Sequence, residues 1–139
     1  MIILDTNIAS ELTKSPMNAT VQSWFDGLGS EPLFLTSITV AEMRFGVCAL
    51  PHGKRRTDLD ERLARMFEGV FTGNILAFDH IAAEAYGIMA AQLRSQGETK
   101  DVKDLMIASI ALVHDATVAT RNTKDFQPTG AKLVNPFGS

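Results

Sequence analysis

Three carboxylates and one amide stand where a parallel sheet would bring them together: Asp5, Glu42, Asp104 and Asn122. Asp5 closes the apolar run Met1-Ile2-Ile3-Leu4, with Thr6-Asn7 directly behind it. Glu42 lies one turn into the helix expected after Leu33-Phe34-Leu35-Thr36. Asp104 opens the apolar stretch Leu105–Val113, and Asn122 trails Ala116-Thr117-Val118-Ala119-Thr120. In open α/β sheets, ligands bind outside the carboxyl ends of the strands. Acids gathered at such a rim repel: at about 4 Å and an effective dielectric of about 20, each like-charged pair costs roughly 4 kcal/mol. A folded chain relieves this by protonating an acid or by binding a cation. Oxygen donors without a nearby Cys or His favour Mg²⁺ or Mn²⁺. A hard cation held by carboxylates suits hydrolysis of phosphodiesters.

Each of these residues also has a use in holding the fold. Asp5 can cap a helix N-terminus. Thr39-Val40-Ala41-Glu42 reads as a capping box, in which Thr39 and Glu42 would satisfy each other's free backbone donors. Asp101 or Asp104 can cap the helix over Leu105–Val113 or favour its dipole, and Asn122 can be a turn residue. What favours chemistry is the location they share.

The elements that must position them alternate. Short buried strands are expected near Met1–Leu4, at Leu33–Thr36, Asn74–Phe78 and Ala116–Thr120, with a further one at Lys132–Val134. Between them, helices are expected over Asn7–Thr13, after Asn18 as a cap, over Ser37–Leu50 and over Thr57–Phe71. Two more follow, one from the cap Asp79 to about Gln96 and one over Leu105–Val113, apolar enough to be buried on most sides. Alternation of this kind indicates an α/β fold with a mostly parallel sheet.

At 139 residues the chain fits one domain, 1–139, with a real core. A 45% hydrophobic content and a net charge of −3 describe a globular protein with no global attraction to nucleic acid, so such a partner needs a local basic patch. Lys54-Arg55-Arg56, with Arg62 and Arg65 beyond, is read as a basic loop and helix that could steer a phosphate backbone. Arg44 and Arg121, beside the site residues, are the better phosphate candidates, because guanidinium pairs bidentately with phosphate. His52, His80 and His114 are dispersed and form no metal-ligand pattern. The single cysteine, Cys48, cannot form an internal disulfide and is expected as a small core residue. No signal peptide or membrane span is expected, and a cytoplasmic location fits.

In this order, the segments LDTN at 4–7, TVAE at 39–42, D-x-x-IA at 104–108 and ATRN-x-x-DF at 119–126 resemble the PIN-domain ribonucleases. The similarity is greatest to the VapC/FitB-like toxins of bacterial toxin–antitoxin modules. It covers nearly the whole chain, including the ending Val134-Asn135-Pro136-Phe137. The resemblance implies a three-layer α/β/α domain with a parallel sheet of four or five strands in the order 3-2-1-4-5. It implies that Asp5, Glu42 and Asp104 bind the metal and that the reaction is Mg²⁺- or Mn²⁺-dependent endonucleolytic cleavage of RNA. It also implies a homodimer and a cognate antitoxin that joins it in a hetero-oligomer. Two positions depart from the family pattern. Asn122 stands at the family's fourth acidic position, with Asp125 three residues later either compensating or only capping the following turn, and Lys103 stands where a small residue is usual.

Two other readings compete. An aspartyl phosphatase also begins from an Asp after the first strand, but it needs a second acid two residues on, and that position is Asn7. A PIN-like module that binds RNA or protein without cutting would be consistent with Asn122.

Overall fold

The computed structural model describes residues 1–138. Its frame is a five-stranded parallel sheet in the order β3-β2-β1-β4-β5, formed by β1 (Ile2–Leu4), β2 (Leu33–Thr36), β3 (Ile75–Leu76), β4 (Thr117–Ala119) and β5 (Lys132–Val134). This is the α/β fold and strand order that the resemblance implies. Side chains alternate across a strand, and the two faces feed separate cores. Ile3 and Val118 join Met89, Leu93, Ile107 and Ile110 on one side. Leu4, Leu35 and Ala119 join Ile8, Met43, Val47 and Leu63 on the other.

The first face is covered by α5 (His80–Ser95) and α6 (Val102–His114). The second is covered by α1 (Thr6–Ala9) with a 3-10 turn over Ser10–Thr13, α2 (Ala19–Asp26), α3 (Ser37–Cys48) and α4 (Lys54–Arg65). A short α7 (Thr123–Phe126) links β4 to β5. Three caps fall where expected or allowed. Asn18 Oδ1 accepts from Thr20 N and Val21 N, Asp79 Oδ1 from Ala82 N, and Asp101 Oδ1 from Lys103 N. With Asp101 capping α6, Asp104 is left without that task.

Several expectations are corrected. The proposed capping box is absent, because α3 starts a full turn earlier. Its cap is Thr36, whose hydroxyl accepts from Thr39 N at 3.2 Å, so Glu42 lies in the second turn and caps nothing. The segment 54–56 is not a loop but the first turn of α4, which begins after Gly53; Thr57 N–H already donates to Gly53 O at 3.1 Å. That helix stops at Arg65 and widens into a π-turn over Met66–Val70. The third strand is only two residues long, since Phe78 N–H donates to Ser37 Oγ at 3.1 Å and leaves the ladder. Cys48 is exposed, not in the core, because Met43 and Val47 take the inward positions of α3. Among the described residues no helix is long and apolar enough to cross a membrane.

Candidate active site

Asp5 is the most buried of the predicted acids, 4% exposed. It is both cap and site residue. Oδ1 accepts from Thr6 N at 2.8 Å, which starts α1, while Oδ2 accepts from the Thr120 hydroxyl at 2.8 Å across the sheet. Its backbone N–H donates to Ala119 O at 2.9 Å, continuing the β1–β4 ladder by one residue. The carboxylate is therefore held at both oxygens, by the residue that follows it and by the end of the neighbouring strand β4. Burial pushes its pKa up, the Thr120 and Thr6 hydrogen bonds oppose this, and the charge of Glu42 adds to the rise; the net direction is upward.

Glu42 is aimed at the same rim by Thr6, whose hydroxyl donates to Oε1 at 2.8 Å and lies 3.1 Å from the Thr39 hydroxyl. Its other oxygen lies 3.7 Å from Lys103 Nζ, a partly exposed ion pair. Asp104, in the first turn of α6, is half-buried and carries a pKa pushed up to about 6. Burial is the largest cause, followed by the charges of Asp5, Asp101, Asp125 and Glu42. Asn122 is exposed; its N–H donates to Thr120 Oγ1 at 3.0 Å, and its carbonyl accepts from Asp125 N. Asp125 thus stands at the same end of the sheet, one turn on.

These side chains occupy one rim at the carboxyl ends of β1, β2 and β4. Among the described residues, no three His, Cys, Asp or Glu side chains are drawn together tightly enough to grip an ion as they stand. The donor set nonetheless fits a hard divalent cation. All donors are oxygens, Asp5 and Glu42 are pre-aimed by hydroxyl donors, and the charges of Glu42 on Asp5 and of Asp5 and Glu42 on Asp104 raise proton affinity at the rim. A positive charge at the rim would remove that repulsion. Asp5, Glu42 and Asp104, with Asn122 or Asp125 beside them, are the residues that could hold it.

The basic candidates separate. Arg44 is engaged by Asp60 in an ion pair joining α3 to α4. Arg56 donates to Leu50 O at 3.3 Å and ties down the end of α3. Lys54 and Arg55, with Lys14 and Arg62, line an open cleft of about 840 Å³ between α4 and the Thr13–Pro16 loop. Arg121 projects from the rim itself, its N–H donating to Asn7 Oδ1 at 3.2 Å. That bond gives Asn7 a structural task, and an amide there cannot be the second acid of an aspartyl phosphatase.

Sequence reasoning missed the hydroxyls of Thr6 and Thr120, which aim the acids, and that of Thr39, which lies against Thr6. The signal was present, since each lies within the short segments that carry the resemblance. It also missed Glu11, a buried acid under the rim. Burial raises the Glu11 pKa, but the Lys14 ammonium and the Asn18 N–H, at 3.0 Å, outweigh it, with the charge of Arg121 adding to the effect; the net direction is down.

The sequence matches the PIN domain family over residues 2–131. It is 41% identical over 137 residues to the VapC ribonuclease Y4jK of Sinorhizobium fredii, covering 99% of this chain and 98% of that one. It is 39% identical over 137 residues to the toxin FitB of Neisseria gonorrhoeae, covering 99% of both. The fold superposes on the structure of FitAB bound to the IR36 DNA fragment with a TM-score of 0.91 and 38% identity, over 100% of this chain and 97% of that chain.

Proposed function

This chain belongs to the PIN-domain family, and we propose that within it the protein is a metal-dependent endoribonuclease, the toxin of a toxin–antitoxin pair. The observation that carries the reading is the acid rim. Burial and then the charges of Asp5 and Glu42 raise the proton affinity of Asp104, and Glu42 adds to that of Asp5, at the carboxyl ends of the strands, where open α/β sheets place their ligands. The likeness to a VapC ribonuclease and to the toxin FitB supplies the reaction class.

When bound, Mg²⁺ or Mn²⁺ would supply an activated water and stabilise charge on the scissile phosphate. The chain's own part is positioning. Thr120 and Thr6 hold the Asp5 carboxylate in one orientation, and Thr6 holds that of Glu42, so neither reorganises during the reaction. Asp104, whose pKa is pushed up to about 6 by burial and the neighbouring acids, is the carboxylate whose charge a cation at the rim would relieve most. Asn122 brings no charge where the family carries a fourth acid, and the charge of Asp125, one turn on, is felt at Asp104.

The rim also suits a protein inhibitor. Without a cation it is an anionic pocket, and an arginine side chain matches carboxylates with two parallel hydrogen bonds. An antitoxin that inserts such an arginine, while a helix anchors it on an apolar groove, would displace the metal; the likeness to the FitAB complex supports a protein partner, and the charge of the rim supports the arginine. Assembly as a homodimer and a cytoplasmic location complete the reading.

Partner-free protein incubated with mixed RNAs should cleave only when Mg²⁺ or Mn²⁺ is added, and Asp5→Asn should abolish it. Titration with the antitoxin at constant ionic strength should show affinity falling as Mg²⁺ rises. Cleavage that persists in EDTA, or in Asp5→Asn, would overturn the metal mechanism. An affinity indifferent to Mg²⁺ would overturn inhibition by arginine insertion.

A further inference from the structure

The rim has a second wall where β4 and β5 end side by side. Ala119 pairs with Val134, and Thr120 N–H donates to Val134 O at 3.0 Å. Beyond that point the two segments part. One runs through Arg121 and Asn122 into α7. The other folds back on itself, with Asn135 Oδ1 accepting from Phe137 N at 2.9 Å and Asn135 O accepting from Gly138 N at 3.0 Å. Together they place the Arg121 guanidinium over the Phe137 ring, Cζ 4.4 Å from the centroid. Beside this pair is an open cleft of about 510 Å³ lined by Arg121, Asn122, Lys124, Asp125, Asn135 and Phe137. That volume falls within the range of about 300–1,000 Å³ usual for small-ligand sites.

A guanidinium seated on a ring presents a second planar face. Proteins that take single-stranded RNA stack its unpaired bases on aromatic rings and on arginine planes. Phe137 is partly buried against the core around Leu4 and Ile8, which fixes the lower layer. Arg121 is exposed, and among the described residues its side chain makes no hydrogen bond or ion pair. The cleft is not a dedicated phosphate pocket: Arg121 and Lys124 line it together with Asp125, and the acids of the rim adjoin it. It suits a neutral base. Among the described residues the Asn122 and Asp125 side chains make no hydrogen bond, and the Asn135 amide nitrogen remains when its oxygen serves Phe137. A base edge would therefore meet both donors and acceptors. The platform is also coupled to the reaction centre, since Asn122 N–H and Asp5 Oδ2 share the Thr120 hydroxyl.

We propose that Arg121 and Phe137 form a nucleobase platform that stacks one unpaired base of the RNA beside the scissile phosphate, with Asn122, Asp125 and Asn135 selecting which base is accepted. The proposal rests on the ribonuclease reading and adds a specificity site to it. Arg121 then acts through its plane, not as a point charge on phosphate. Arg121→Lys is the discriminating substitution, because it keeps the charge and loses the plane.

The test uses full-length protein and short single-stranded RNAs carrying 2-aminopurine, whose fluorescence falls on stacking. Binding is measured in EDTA, and cut sites are mapped with Mg²⁺ or Mn²⁺. Wild type should quench the probe. Arg121→Lys should bind about 5- to 150-fold more weakly, as expected for about 1–3 kcal/mol per stacked base, with the quench lost and the base preference at the cut relaxed. Phe137→Leu should act in the same direction; if it fails to fold, the exposed Arg121→Lys still decides. Arg121→Lys binding, quenching and cutting like wild type would overturn the platform alone. So would a loss confined to antitoxin binding, which would mark the cleft as a protein contact. A wild type that cleaves no RNA would overturn the ribonuclease reading, and the platform with it.

Discussion

Replacing Asp104 by Asn should make the metal-free protein more stable at neutral pH while it abolishes cleavage. The Asp104 carboxyl has a pKa near 6 in the folded chain against an ordinary 3.8. At about 1.36 kcal/mol per tenfold change in proton affinity, that gap corresponds to roughly 3 kcal/mol. Asp104 is only half-buried, so solvent screening reduces this to roughly 1–2 kcal/mol. The sign follows from linkage: an acid whose folded pKa is raised favours the fold below pH 3.8, and that advantage is lost as pH rises through about 6. At pH 7.5 the charged carboxylate therefore costs stability, and Asn, similar in shape and uncharged, removes the cost. Melting followed by circular dichroism in EDTA should show Asp104→Asn about 3–10 °C above wild type at pH 7.5. The difference should shrink through pH 6 and vanish near pH 4. Added Mg²⁺ should raise the wild-type Tm and leave that of the variant nearly unchanged. An Asp104→Asn protein that melts at or below wild type at pH 7.5, or a gap that does not vary with pH, would refute the electrostatic account of the rim.

Thr120→Val removes the buried hydroxyl shared by Asp5 and Asn122. It should cost about 1–3 kcal/mol in urea unfolding and move the acid limb of the cleavage profile to higher pH, because Asp5 loses a bond that lowers its pKa; an unmoved limb would count against Thr120 as the aiming group. Glu42→Gln keeps a carbonyl for the Thr6 hydroxyl, so its stability should change by less than about 0.5 kcal/mol while metal-dependent cleavage collapses, and normal cleavage would remove Glu42 from the site. Thr36→Ala deletes the cap of α3 and should cost about 0.5–2 kcal/mol by thermal unfolding. If it melts like wild type, the helix start is misassigned.

Much of the fold could be read from local pattern, because strands and caps are local events. Apolar runs ended by polar residues marked the first three strands, the β-branched stretch around Val118 and the short Lys132–Val134 pointed to two more, and Asn18 and Asp79 marked helix starts, since each cap bonds within three residues of itself. The alternation of strand and helix then required a parallel α/β sheet. The strand order came from the resemblance, not from periodicity, and the structure agrees with it. Local pattern also misled. TVAE has the spacing of a capping box, yet Thr36 starts the helix, because β2 runs directly into α3 and the chain turns at Thr36. An amphipathic stripe did not show that Cys48 would face outward, since one helix face can hold only the residues that fit between sheet and neighbour.

The site divides along the same line. That Asp5, Glu42, Asp104 and Asn122 belong to one end of the sheet followed from their places after strands and at helix starts. How they are aimed did not. Thr6 reaches Glu42 across 36 residues, and Thr120 reaches Asp5 across 115. Bonds of that span depend on strand order and register, which a single chain does not display. Nor does it display which arginines are engaged. Arg44 and Arg121 look alike beside their acids, and only the packing of α3 on α4 gives one to Asp60, while the adjoining ends of β4 and β5 set the other over Phe137.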